Sequence, residues 1–207
     1  MTRKTFILLA LATGAHSFVV YGLGNWLPSL LARIHDMGSG EIGSWLSLGS
    51  GGAGALGVWL GGYLTDKYGQ QDRRWYLWIP AIAILASLPL SALMLTASHK
   101  YLVLCTIPIV KVLWSFYLGP SIAMAHRMVG IRMRAMSSAV LFLVLNFIGL
   151  GLGPLIIGTI SDHFSPQYGT ESLRWAMIAG LSMSLLGAVL YYGASRTLES
   201  DIARAPL

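Results

Sequence analysis

The sequence predicts an all-α integral membrane protein with six transmembrane helices. Charged residues make up only 11% of the 207 and hydrophobic ones 55%, with a mean hydropathy of +0.66. A soluble domain normally carries about 25% charged residues, so lipid is the solvent that fits this composition. Uncharged intervals long enough for a span, about 20 residues, recur six times along the chain. Each is a continuous apolar run, unlike the roughly 10-residue alternation of barrel strands, and lipid permits only helices or closed barrels.

The first span, 6–28, lies in the uncharged stretch Thr5–Ala32. Its Arg3-Lys4 start resembles the head of a secretory leader, but the apolar run continues through Phe18, Val19, Val20 and Tyr21, too far for a leader's core. The second, 42–65, falls between Glu41 and Asp66, and the third, 75–97, opens on Trp75 and Trp78. The fourth, 101–124, alone carries an interior charge, Lys111. The fifth, 136–160, is glycine-rich in its second half, and the sixth, 175–195, opens on Trp175. The tryptophans at these starts, with Trp26 near the end of the first span, suit interfacial anchors. The longest connection, Asp162–Arg174, carries Pro166 and Gly169 and reads as a short external loop. No connection has room for a separate domain, so residues 1–207 form one transmembrane unit.

The formal charge of +6 suggests nucleic acid only until its placement is read. With the N-terminus inside, the inner segments hold Arg3, Lys4, Lys67, Arg73, Arg74, Arg127, Arg132, Arg134, Arg196 and Arg204. The outer ones hold Arg33, Lys100 and Arg174. Such a bias places both termini in the cytoplasm and explains the charge by topology, with no nucleic-acid partner. Cys105 stands alone, which excludes an internal disulfide and a cysteine metal site. The spans hold no aspartate or glutamate, and no catalytic motif or nucleotide-binding glycine loop occurs. The expectation is no enzyme, no metal and no cofactor.

Two motifs carry function. Between the second and third spans runs Gly62-Tyr63-Leu64-Thr65-Asp66-Lys67-Tyr68-Gly69-Gln70-Gln71-Asp72-Arg73-Arg74. Gly62 lets a neighbouring helix come close, Gly69 can supply a tight turn, and Asp66 can face the positive start of an adjacent helix. Lys67, Arg73 and Arg74 hold the segment inside. In the fifth span, Asn146-Phe147-Ile148-Gly149-Leu150-Gly151-Leu152-Gly153-Pro154, with Gly158 following, offers a small-residue contact face and a proline kink. Ordinary helix packing accounts for this second motif equally well.

The Gly62–Arg74 segment resembles the signature loop of the major facilitator superfamily. Taken with Gly22-Leu23-Gly24-Asn25-Trp26-Leu27-Pro28, Trp75-Tyr76-Leu77-Trp78-Ile79-Pro80 and Arg134-Ala135 through Pro154, it resembles the bacterial spinster-like branch over Phe6 to Ser195. It departs where Gln70-Gln71-Asp72 delays the basic pair, which weakens the gating role of Arg73 and Arg74 relative to Asp66. The resemblance aligns with the second six helices of twelve. It implies a half-bundle of two inverted three-helix repeats, with substrate bound between halves. It further implies a bacterial inner-membrane secondary transporter working by alternating access on a small or amphiphilic solute. Met1 stands where a linker between halves belongs, so the expected partners are the bilayer, a small-molecule or lipid-like substrate, and a missing N-terminal half or a second copy. The alternative is a non-transporting assembly or regulatory subunit.

An ionisable group at mid-span costs at least about 2.5 kcal/mol on insertion scales, so each polar interior residue needs a reason. Lys111 shares a helix face with Trp114, Ser115 and Leu118 and can meet an anionic group, such as a carboxylate or phosphate, in a central cavity. His16 can relay protons or pack as a hydrogen-bonded histidine. Asn25 and Asn146 can contact substrate or bond across helices. Lys111, Trp114, His16, Asn25 and Asn146 are therefore the candidate substrate contacts.

Overall fold

A computed structural model describes residues 4–203, so Arg3 and Arg204 of the topology argument lie outside the described residues. Among the described residues nine α-helices follow one another: α1 (Lys4–His35), α2 (Ser39–Gly69), α3 (Trp75–Thr96), α4 (Lys100–Ser115), α5 (Leu118–Arg127), α6 (Arg134–Leu145), α7 (Gly153–Tyr168), α8 (Ser172–Gly180) and α9 (Ser182–Ala203). A π-helical turn, Asn146–Leu152, joins α6 to α7, and Gly169–Glu171 forms a 3-10 turn before α8. Among the described residues there is no strand.

Several boundaries differ from the sequence expectation. Asp162–Arg174 is not a loop: α7 runs through Pro166 to Tyr168, and the chain reverses at Gly169, whose φ of +54° suits a residue without a Cβ. The first helix passes through Pro28 to His35. The segment Gly62–Gly69 is the end of α2 rather than loop, leaving Gln70–Arg74 as the connection. Among the described residues four helical stretches are long and apolar enough to cross a membrane: 4–35, 75–96, 100–127 and the 71-residue run 131–201, which contains the reversal at Gly169. The expected second span, within α2, is not among them. Its 31 residues are diluted by glycine and serine, which lengthen a helix without making it apolar.

Two helix interruptions are packed against glycine or small polar residues. Pro120 has no N–H for the carbonyl of Phe116 and crowds it, so the chain steps from α4 to α5 at Phe116-Tyr117. Pro154 likewise cannot donate to Leu150, and the π turn precedes it, with the Gly153 N–H shared between the carbonyls of Gly149 and Ile148.

The glycines build two close seams. Along α2, a Cβ on Gly57 would strike the Val112 carbonyl and one on Gly61 would strike that of Phe116. Along the π turn and α7, a Cβ on Gly149 would lie 2.5 Å from Ser17 Oγ and one on Gly153 2.8 Å from the Phe18 carbonyl. In both seams a Gly-x-x-x-Gly pair sits against a Ser-Phe dipeptide, Ser115-Phe116 or Ser17-Phe18, and contacts ascend together along both chains, so the paired helices run parallel. Gly62 takes no part, since a Cβ there would meet nothing within 4 Å.

The apolar core fills around α1. Leu23, Leu27 and Leu30 pack with Val103, Ile107 and Trp114 of α4 and with Met177 of α8 toward one end. Leu9, Leu77, Met124 and Tyr191 fill the other. Burying a leucine side chain contributes roughly 1.5–3 kcal/mol relative to water. In lipid that term fades, and packing and hydrogen bonds carry the association. Tyr191 is fully buried and shares its hydroxyl with Ser121 (2.7 Å) and Thr13 (3.1 Å), tying α9, α5 and α1 together. At the start of α1, the Thr5 N–H donates to Asp201 Oδ2 at 2.8 Å, placing a carboxylate on the positive end of that helix.

Candidate functional site

The candidate contacts divide into those the fold seals and those it leaves open. His16 is fully buried between α1, α4 and α9. Its Nε2 lies 3.2 Å from the Trp114 carbonyl, and its Nδ1 lies 3.4 Å from Ser184 Oγ. Its ring meets Tyr117 edge-on at 4.9 Å. Trp114 is 1% exposed and sits in the core. Both side chains are sealed within the helix packing of this chain. His16 instead holds the step between α4 and α5, where the helix carbonyls need outside partners.

Lys111 is half-buried and open on one side. Its Nζ stands 5.6 Å from the centre of the Trp114 ring, and a Cβ on Gly24 would come within 3.3 Å of it. The bare backbone of Gly24 is what gives the ammonium room against α1. Among the described residues no carboxylate lies within ion-pair reach of Lys111. An ammonium at this depth with only an aromatic face beside it can take an anion, because the ring stabilises the cation without neutralising it.

Asn25, on α1 directly after Gly24, is exposed, and so is Asn146 at the start of the π turn. Each Nδ2 donates to a carbonyl four residues earlier, Tyr21 or Phe142, at 2.8 Å. Neither asparagine bonds across helices as expected. Both keep Oδ1 on an open face. Trp26, expected as an interfacial anchor, donates its indole N–H to the Pro154 carbonyl at 2.8 Å and packs over Gly158.

At the opposite end of α3 from Thr96, the signature segment builds a three-helix clasp. Asp66 on α2 accepts a 2.6 Å hydrogen bond from the Tyr76 hydroxyl on α3. That hydroxyl accepts one of 2.5 Å from Arg127 at the end of α5, whose guanidinium lies 4.0 Å from the ring centre. Gly69 serves this clasp rather than a turn, since a Cβ there would strike the Tyr76 ring. Burial of the ring does the rest: Tyr76 is 2% exposed.

Lys67 lies over the Tyr68 ring at 5.8 Å, and Arg73 is exposed. Arg74 pairs with Glu199 of α9 at 2.6 Å, while its backbone N–H donates to Asp72 Oδ1 at 2.8 Å, closing the turn before α3. The delayed basic pair is thus divided between an exposed arginine and one that ties the start of α3 to α9. Sequence reasoning missed Tyr76 and Arg127 as partners of Asp66, and Gly57 and Gly61 as the close-packing pair. The four-residue glycine spacing at 57 and 61, the same as at 149 and 153, was the available signal.

The family model of the Major Facilitator Superfamily matches residues 9–206. The chain belongs to this superfamily. An MFS-type efflux pump of Mycolicibacterium smegmatis is 32% identical over 203 residues, covering 98% of this chain and 47% of that protein. A cis,cis-muconate transport protein of Acinetobacter baylyi is 38% identical over 69 residues, covering 33% of this chain and 16% of that protein. The fold is that of a bacterial homologue of the human lysosomal transporter Spinster. Its inward-facing, occupied structure superposes with a TM-score of 0.87 at 24% identity, covering 97% of this chain and 50% of that one. The inward-facing, unoccupied structure gives 0.84 at 24% identity over 95% and 48%. This superfamily chain therefore spans about half the length of the relatives it matches. It is an integral membrane protein of a transporter family rather than an enzyme family.

Proposed function

We propose that the chain is the six-span half of a secondary transporter that works by alternating access, with Lys111 as the anchor for a small or amphiphilic anionic solute. The carrying observation is the Lys111 ammonium, half-buried inside the apolar stretch 100–127, cleared by Gly24 and lacking an ion-paired carboxylate among the described residues. Asn25, one residue beyond Gly24, and Asn146 add acceptors on open helix faces. A relative over a third of the chain is named for muconate, a carboxylate, which agrees with an organic anion as cargo.

The two matched seams support an internal inverted repeat. The Gly57/Gly61 seam of α2 on α4 and the Gly149/Gly153 seam of α7 on α1 join helices that such a repeat would exchange. The exposed residues Trp45, Leu56, Trp59 and Tyr63 on α2, and Leu143, Phe147, Leu150 and Leu155 from the end of α6 through the π turn into α7, are the surfaces a second half would cover. That second half is either a different chain segment or another copy. Both termini lie on the cytoplasmic side of a bacterial inner membrane in this reading.

Lys111→Met should abolish uptake of a carboxylate solute such as muconate by the assembled, reconstituted transporter while leaving membrane insertion intact. Equal uptake by wild type and variant would exclude Lys111 as the anchor. A correctly inserted chain that forms no complex and supports no transport with any second half would instead favour the assembly or regulatory subunit.

A further inference from the structure

On the outer side of the bundle, away from Lys111, α3 and α9 leave a groove enclosing about 400 Å³. Its floor is Ala81 and Ala188, both buried, where the small side chains let the surface sink. Ile82 and Leu85 form one wall, and Leu185 and Val189 the other. Trp78 and Tyr192 close the end at which α3 begins. From Trp78 to Leu85 the groove runs about 10 Å, within the roughly 15 Å half-thickness of a bilayer's hydrocarbon. An apolar floor of two alanines between walls of branched side chains suits a single alkyl chain.

The closed end carries the charge. Trp78 donates its indole N–H to Ser195 Oγ at 3.0 Å, which fixes its ring as the end wall. Arg196, one turn beyond Tyr192, is exposed and donates from Nη2 to the Tyr192 hydroxyl at 2.5 Å. A neutral phenol holds that guanidinium in place without cancelling its charge. The neighbouring Arg74 is already paired with Glu199. An alkyl slot ending in an aromatic pair and an oriented guanidinium, with no ion-paired carboxylate among the described residues, matches one chain and the phosphate of an anionic phospholipid.

We propose that the groove between α3 and α9 holds one acyl chain of an anionic phospholipid, with Arg196 on its phosphate. The proposal rests only on the chain lying in a bilayer and is independent of the transport reading. Native mass spectrometry of the full chain in detergent, titrated with phosphatidylglycerol or phosphatidylcholine, tests it. Wild type should retain phosphatidylglycerol with a roughly fivefold preference, the contribution of one surface arginine. Arg196→Gln should erase the preference and keep the residual binding common to both lipids. Ala188→Phe should fill the floor and remove both; if it misfolds by thermal melting, Ala81→Leu blocks the same floor from α3. Excess inorganic phosphate should not displace the lipid, which separates a lipid headgroup site from a simple anion site. Undiminished phosphatidylglycerol binding in both the arginine and the floor variants would overturn the proposal. So would displacement by inorganic phosphate, or a second copy of the chain bound in place of lipid and lost on Ala188→Phe.

Discussion

The Arg127 guanidinium lies 4.0 Å from the centre of the Tyr76 ring and donates to its hydroxyl, and that hydroxyl in turn donates a hydrogen bond to Asp66. A carboxylate on α2 and a guanidinium on α5 are thus joined through a phenol on α3, with no direct ion pair. Tyr76→Phe keeps the ring and the cation contact but removes both hydrogen bonds. Because Asp66 is exposed, the expected loss is modest, about 1 kcal/mol. Arg127→Ala should cost a similar amount through the lost cation contact. Thermal unfolding in detergent measures both. A double variant no worse than either single one would show that the two residues act as one unit.

Gly61→Ala and Gly62→Ala are adjacent changes with opposite expectations. A Cβ at Gly61 meets the Phe116 carbonyl, a backbone atom that cannot swing away, so about 1–3 kcal/mol of overpacking is expected. At Gly62 a Cβ meets open space, and the gain in helix propensity makes the change neutral or slightly stabilising. The two melting temperatures, taken side by side, check the seam directly.

His16→Leu should destabilise by about 1–3 kcal/mol, because it leaves the buried Trp114 carbonyl and Ser184 hydroxyl without their partner. His16→Gln, which can still reach one of them, should recover part of that loss. Equal melting of all three proteins would remove His16 from its role at the α4–α5 step.

The sequence reading reached the all-helical membrane class and the family because both rest on long-range averages and on a motif with fixed spacing. Uncharged intervals mark helices well, but they end where a charge stands, whereas a helix can run on. For that reason α1 extends to His35 and α7 absorbs most of the expected loop from 162 to 174. Polar residues were harder to place. Helical spacing puts Trp114 one turn from Lys111, and the two do meet, yet Trp114 is buried in the core while Lys111 is only half-buried, a difference that spacing does not reveal. Asn25 and Asn146 each bond their own helix, a choice that sequence spacing does not reveal. The clasp was half legible: Asp66 stood out by motif, but its link to Arg127 spans 61 residues and depends on a Tyr76 ring seated over Gly69.

The central claim is that Lys111 faces a water-filled substrate path rather than lipid. Lys111→Cys in a Cys105→Ser background, probed in native membranes with a charged, membrane-impermeant methanethiosulfonate, tests it most directly. The account predicts rapid modification at position 111, slowed by a bound organic anion, with an Arg33→Cys variant as the surface-exposed reference. A cysteine at 111 that stays unmodified while the reference reacts fully would place this residue in lipid or sealed protein and contradict the account.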